Sequence, residues 1–143
     1  MTDQAQGSYD VQKFRDLIKD IPFAMFTTVT AGGGLRSRPM VATVNAFDGK
    51  LWFFTRTGSA VAQEIGGHAD INVTYVSAPE DRFISVSGRA VVSHDIERAK
   101  ELWSPSYNQW FAGGASDAEL SMIAIEVAKV EYWDRKAGRM QLL

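Results

Sequence analysis

The chain contains no cysteine, and only two histidines, His68 and His94, among its 143 residues. Disulfide scaffolds, thiolate metal sites and cysteine nucleophiles are thereby excluded, and a multi-histidine metal centre has too few ligands. No apolar run approaches the roughly 20 residues that cross a bilayer as a helix. Neither charge dominates: 15 basic residues stand against 17 acidic ones, a formal net charge of −2. A general electrostatic attraction to nucleic acid therefore has no source. The first nine residues are polar and lack the basic-then-apolar order of a secretion signal, which predicts the cytoplasm. The carboxylates are scattered without a pair spaced for acid/base work, and nothing places a nucleophile beside a base. No catalytic side chain and no metal ligand is predicted.

What is present is an ordinary globular composition, 45% hydrophobic and 22% charged. It predicts one domain over residues 1–143, with residues 1–8 a flexible N-terminus. The stretch from Arg36 to Ser59 organises the rest. In Arg36-Ser37-Arg38-Pro39-Met40-Val41-Ala42-Thr43-Val44 both arginines share the parity of Met40, Ala42 and Val44, which in a strand means one face of the sheet. Asp48-Gly49 is a hairpin signal. Leu51-Trp52-Phe53-Phe54-Thr55 is aromatic and β-prone, with two of its three large rings expected in the core. A hydroxyl-rich loop, Thr55 to Ser59, then leads into a helical pattern. Such a combination suits a flat anionic ligand.

Elsewhere the apolar spacing predicts helices over 10–20, 59–66 and 95–103. Asp10 and Ser59 are candidate N-caps. Strands are predicted over 23–30, 69–76, 83–92 and 122–127, the last continuing or resuming over 130–134. The Arg36 strand is read as the antiparallel partner of the Phe23 strand, across the tip Gly32-Gly33-Gly34. Those glycines lack the lysine and helix of a phosphate-binding loop. Gly88 inside a long strand signals a bulge or bend. Six or more sequential antiparallel strands without βαβ alternation favour a closed or half-closed barrel over a flat sheet. Trp110 and Phe111, in a loop before Gly113-Gly114, either cap the core or form an interface near a ligand.

Three blocks carry a family resemblance: Arg36 to Met40 with Leu51 to Thr55; Phe83-Ile84-Ser85-Val86-Ser87-Gly88; and Leu102-Trp103 through Trp110-Phe111 to Glu131-Tyr132-Trp133-Asp134. Together the blocks, which cover roughly residues 10 to 135, resemble the pyridoxamine 5′-phosphate oxidase-like, FMN-binding split-barrel superfamily, and within it the general stress protein 26 group. The resemblance implies a mainly β fold, a six-stranded antiparallel split β-barrel with short helices, assembled as a homodimer with FMN in two equivalent interfacial clefts. It assigns the flavin-contacting strand to Arg36, Ser37, Arg38, Pro39, Met40 and Val41, the ribityl-phosphate contacts to Phe54 and Thr55, and a further phosphate contact to Ser59. Trp110 and Phe111 join as candidate cofactor contacts.

The sequence departs from the family pattern at three places. The Ser-Arg-Lys triplet that closes on the phosphate reads Ser59-Ala60-Val61, a flavin-contacting glutamine is replaced by Phe83, and the C-terminal arginine-and-tryptophan segment of the oxidases is not seen before Leu143. A true pyridoxamine phosphate oxidase is therefore not expected. With both triplet cations replaced, the compensating charge has to come from the Arg36–Arg38 strand or from Arg56, and Arg38 is predicted as the main cationic contact to the phosphate. The implied function is an FMN-dependent oxidoreductase using NAD(P)H and an unknown small acceptor. The alternatives are a non-catalytic flavin-binding stress protein, or a split barrel using the deazaflavin F420 or no cofactor.

Overall fold

The computed structural model describes residues 9–43 and 49–143. Its elements are α1 (Val11–Ile18), β1 (Phe23–Val29), β2 (Leu35–Val41), β3 (Lys50–Arg56), α2 (Ala60–Gly67), β4 (Asp70–Ser77), β5 (Arg82–Ser93), α3 (Ile96–Leu102), β6 (Leu120–Asp134) and β7 (Arg139–Leu142). The three predicted helices are all present, each begun by a side-chain cap. Asp10, Ser59 and Asp95 accept from the backbone N–H groups of Lys13, Ala62 and Arg98 respectively, satisfying donors that the first turn leaves unpaired. On α3, Ala99 and Leu102 are buried while Ile96 is 52% exposed.

All strand pairs are antiparallel, in the order β2-β1-β4-β5-β6-β3, with β7 added beside β6. A single bridge between Ala42 and Phe53 brings the two ends of this path together. Six strands thus curl into a barrel whose seam between β2 and β3 stays largely open. This is the split barrel predicted, with one strand more. Of the expected hairpin between the Arg36 strand and the Leu51 strand, the described residues show one antiparallel bridge, Ala42–Phe53, beside the β1–β2 and β3–β6 ladders. Asp48 of the hairpin signal and Val44 lie outside the described residues.

The interior is filled by alternate residues of each strand, among them Phe26, Phe53, Val73, Tyr75, Ile84, Val86, Ile123 and Ile125, all essentially buried. Phe14 and Ile18 from α1 and Val61 and Ile65 from α2 join this core. A second, smaller cluster joins Phe54 and Met122 to Ala99, Leu102 and Phe111, tying the loop after α3 to the barrel wall. The bend anticipated at Gly88 is a bulge: the β5–β6 register shifts between Ser87 and Gly88, leaving Ala128 as the extra residue. Only glycine fits there, because a Cβ on residue 88 would lie 2.3 Å from the Glu126 carbonyl oxygen. Arg82 anchors α1 by donating from Nη1 to the carbonyls of Asp16, Leu17 and Lys19 at 3.2, 2.8 and 3.1 Å. A guanidinium at a helix C-terminus meets both the orphan carbonyls and the negative end of the dipole.

The outer face of the sheet carries an apolar row. Val41 pairs with Phe23, Val76 with Phe83, and Trp133 with Met140. Carried one residue on, the registers Ala24–Tyr75 and Ile84–Tyr132 set Phe23 beside Val76 and Phe83 beside Trp133. Phe23 and Val76 are about half exposed (51% and 47%). Beside this row lies a polar patch, in which Thr27 bonds Ser37 and Asn72 bonds Ser85 and Ser87.

Candidate functional site

The open seam is where the chain makes a cleft. β2 is an edge strand whose inner neighbour is β1; on its other side the described residues make one bridge to β3, Ala42–Phe53. Between them lies a cavity of about 350 Å³ walled by Pro39, Met40 and Val41 on one side and Phe54, Thr55 and Arg56 on the other. Phe23, Tyr107, Trp110 and Phe111 close it above. An unpaired strand edge offers backbone donors and acceptors to a ligand laid along it, and its size falls in the range of small-molecule sites.

Arg56 is the one cation of this lining. Its guanidinium donates to the Trp110 carbonyl at 2.5 Å and stacks over the Phe111 ring at 5.1 Å. A longer ion pair, 3.9 Å, runs to Glu119. Thr55 bonds Ser59 hydroxyl to hydroxyl at 2.8 Å, so the strand end and the cap of α2 form one polar corner. The aromatic loop is fixed from behind. Asp117 accepts from the backbone N–H groups of Glu119 and Gly113 at 2.9 Å each, and these bonds hold its carboxyl below the usual carboxylate range. Trp103 bonds Asn108 and packs edge-on to Tyr107.

The two arginines of β2 go elsewhere. They share the inner face with Met40, as their parity predicted, but at the mouth of the barrel they meet Glu64 of α2. Arg38 Nη2 donates to Glu64 Oε1 at 2.5 Å, and Arg38 Nη1 donates to the Thr28 hydroxyl at 2.7 Å. That hydroxyl donates in turn to Glu64 at 2.6 Å. Arg36, more exposed, stands 3.6 Å from the other carboxylate oxygen. The bonds from Thr28 and Arg38 lower the Glu64 pKa.

The model of the family described as "Pyridoxamine 5′-phosphate oxidase like" matches residues 9–143. The chain belongs to the pyridoxamine 5′-phosphate oxidase-like family. Among similar proteins, Protein bli-3 of Neurospora crassa is 26% identical over 134 residues, 85% of this chain; the chain spans 64% of that relative's length. The general stress FMN/FAD binding protein of Xanthomonas citri is 25% identical, with a TM-score of 0.74 over 92% of this chain and 91% of that one. A protein from Clostridium acetobutylicum related to general stress protein 26 superposes with a TM-score of 0.79 at 16% identity, over 93% and 92% of the two chains, a likeness of fold.

In this member of the pyridoxamine 5′-phosphate oxidase-like family, the structure brings Pro39, Met40, Val41, Phe54, Thr55, Trp110 and Phe111 together around one cleft, with Ser59 bonded to Thr55 behind it. It does not bring Arg36, Ser37 or Arg38 into that lining. Ser37 faces outward and bonds Thr27 at 2.6 Å. In the aromatic loop, Phe111 is buried in the second cluster and Trp110 is 38% exposed, and both rings line the cleft. At the two triplet positions, Val61 is buried in the core and Ala60 is exposed. Sequence reading missed Phe23 and Tyr107 as cleft residues and named Arg56 only as a substitute charge. Arg56 was findable, since it follows Thr55 at the end of the aromatic strand. Phe23 reaches the cleft as the cross-strand partner of Val41, a register that the pairing of the two strands does not by itself specify. Among the described residues no cluster of potential metal ligands occurs, and no helix is long and apolar enough to cross a membrane.

Proposed function

We propose that the protein is an FMN-binding flavoprotein, a homodimer whose clefts lie at the subunit interface, and an oxidoreductase taking electrons from NAD(P)H to a small acceptor. The observation that carries this reading is the seam cleft, where a bare strand edge, an aromatic cover and a single cation-and-hydroxyl corner stand together. The donor set fits FMN. The edge of Pro39–Val41 and the rings of Trp110 and Phe54 suit a flat ring system. Arg56, with Thr55 and Ser59 at the start of α2, suits one phosphate. One cation provides for a mononucleotide better than for a diphosphate, which favours FMN over FAD. The Xanthomonas citri protein, named for FMN/FAD binding, supports a flavin as the ligand.

Bound there, the flavin would supply the electron-transfer chemistry; the chain's part is to hold and shield it. Arg56 takes the role expected of Arg38, because Arg38 is held by Glu64 and Thr28. Trp110 and Phe23 exclude water above the ring. Burial raises the pKa of Tyr107, so its phenol stays protonated and remains a donor at neutral pH. The apolar row ending at Phe23 and Val41 runs into the cleft, so a second copy covering that row would place the clefts at the interface.

Light scattering is expected to give twice the mass of the 143-residue chain, and added FMN to bind with the two visible bands of an oxidised flavin. Anaerobic NADPH is then expected to bleach them. Bands that persist identify a flavin carrier, a deazaflavin spectrum in protein as purified identifies F420, and failure to bind FMN overturns the reading.

A further inference from the structure

Beside the flavin cleft lies a second cavity of about 540 Å³, sharing Phe23, Val41, Tyr107 and Trp110 with it. The two are separated by Phe23 and Trp110, whose rings meet edge to face at 6.4 Å and 90°. They differ in charge. Among the described residues the cleft's only ionised lining residue is Arg56, and the second cavity's is Asp20. The rest of its polar lining, Ser106, Gln109 and Tyr107, is neutral. We propose that this compartment admits neutral or cationic planar molecules and turns away anions, with Asp20 setting the sign. As the acceptor's seat beside a flavin, this rests on the function proposed above; as a property of the cavity, it does not.

Two features of the site point the same way. Aromatic faces attract cations, and Phe23, Tyr107 and Trp110 supply three rings. Among the described residues no ion pair or side-chain hydrogen bond engages Asp20, which is exposed at the rim of the cavity. The backbone alone does not account for the carboxylate. Asp20 has φ +64°, closing the turn between α1 and β1, and this left-handed conformation is served equally well by asparagine. Asp20→Asn therefore removes the charge while keeping the turn. Among the described residues no cation lines this compartment to receive a phosphate ester.

Three probes with one ring system test it: 1-methylquinolinium, quinoline and quinoline-4-carboxylate. Each is titrated against the protein without flavin and with FMN added, following tryptophan fluorescence, with Trp110→Phe to identify the reporting residue. The cation is expected to bind the wild type about fivefold more tightly than Asp20→Asn, the factor for one unit charge a few ångströms away in water. The carboxylate is expected to bind Asp20→Asn more tightly than the wild type, and neutral quinoline to bind both alike. At 1 M salt, where screening acts over about 3 Å, the differences should shrink. Unchanged affinities in Asp20→Asn, or no saturable binding of any probe, overturn the proposal. FMN binding without charge preference sinks this inference alone, whereas charge preference without FMN binding sinks the flavin reading and leaves this one standing.

Discussion

Arg56→Ala is expected to weaken FMN binding about tenfold while leaving riboflavin binding nearly unchanged. A hydrogen bond to a charged partner is worth about 1.5–3 kcal/mol. The Arg56 side chain is 55% exposed, so solvent screening places the effect at the lower end, and 1.4 kcal/mol is one decade in affinity. The comparison of two ligands separates the roles that Arg56 plays. Its guanidinium also donates to the Trp110 carbonyl and covers the Phe111 ring, so a role as anchor of the aromatic wall has to be told apart from a phosphate contact. A loosened wall weakens FMN and riboflavin alike, whereas a lost phosphate contact weakens FMN only. Arg56→Lys, which keeps the charge but not the planar fork, is expected to fall between. Flavin fluorescence titration gives all the constants. Equal losses for the two flavins would remove Arg56 from the phosphate site and leave it a loop anchor.

The barrel was legible because local patterns and tertiary demand agreed. Alternation at Ile71, Val73 and Tyr75, helix caps at Asp10 and Ser59, and a glycine where β5 crosses β6 each satisfy a constraint acting within a few residues. Sequence neighbours do not show which strands close the ring. Asp48-Gly49 pointed to the neighbour on one edge of β3, where the Ala42–Phe53 bridge lies, but β3 also pairs along its other edge with β6, seventy residues on, and no local pattern announces that partner. β7 escaped notice because Arg139–Leu142 is four residues of mostly exposed edge strand, too short for an alternation to register. The site was legible in part for the same reason. Phe54 and Thr55 follow from their own strand, and Pro39 to Val41 from theirs. The direction of the Arg38 side chain depends on Glu64, which sits on a helix twenty-six residues away and carried no signal as a partner. Parity placed Arg38 on the inner face correctly; what waits at that face is a tertiary fact.

That inward arginine yields the second large effect. Arg38→Met is expected to cost about 2 kcal/mol of stability, because the Thr28 hydroxyl and the Glu64 carboxylate lose a charged donor at a largely buried site. Thr28 is 1% exposed, and the Arg38 and Glu64 side chains are 16% and 14% exposed. Over a chain of 143 residues this corresponds to a fall in melting temperature of roughly 4–8 °C. Flavin affinity is expected to change less than in Arg56→Ala. The pH dependence carries the signature. Bonds from Thr28 and then Arg38 depress the Glu64 pKa below its ordinary 4.5, so the folded state binds its proton less readily than the unfolded chain does. The stabilisation is then fully present above about pH 4.5 and is lost as the pH falls through the lower folded value. Glu64→Gln removes this titration while keeping an acceptor for Thr28 and Arg38. Urea unfolding midpoints of the wild type should therefore fall more steeply between pH 6 and pH 3 than those of Glu64→Gln. In Arg38→Met the slope should also flatten, since the main charged donor is gone. The double variant tests whether the two residues act as a unit, because its loss should be less than the sum of the single losses. Parallel pH profiles in wild type and Glu64→Gln, together with additive losses, would show that the barrel mouth gains nothing from this pair.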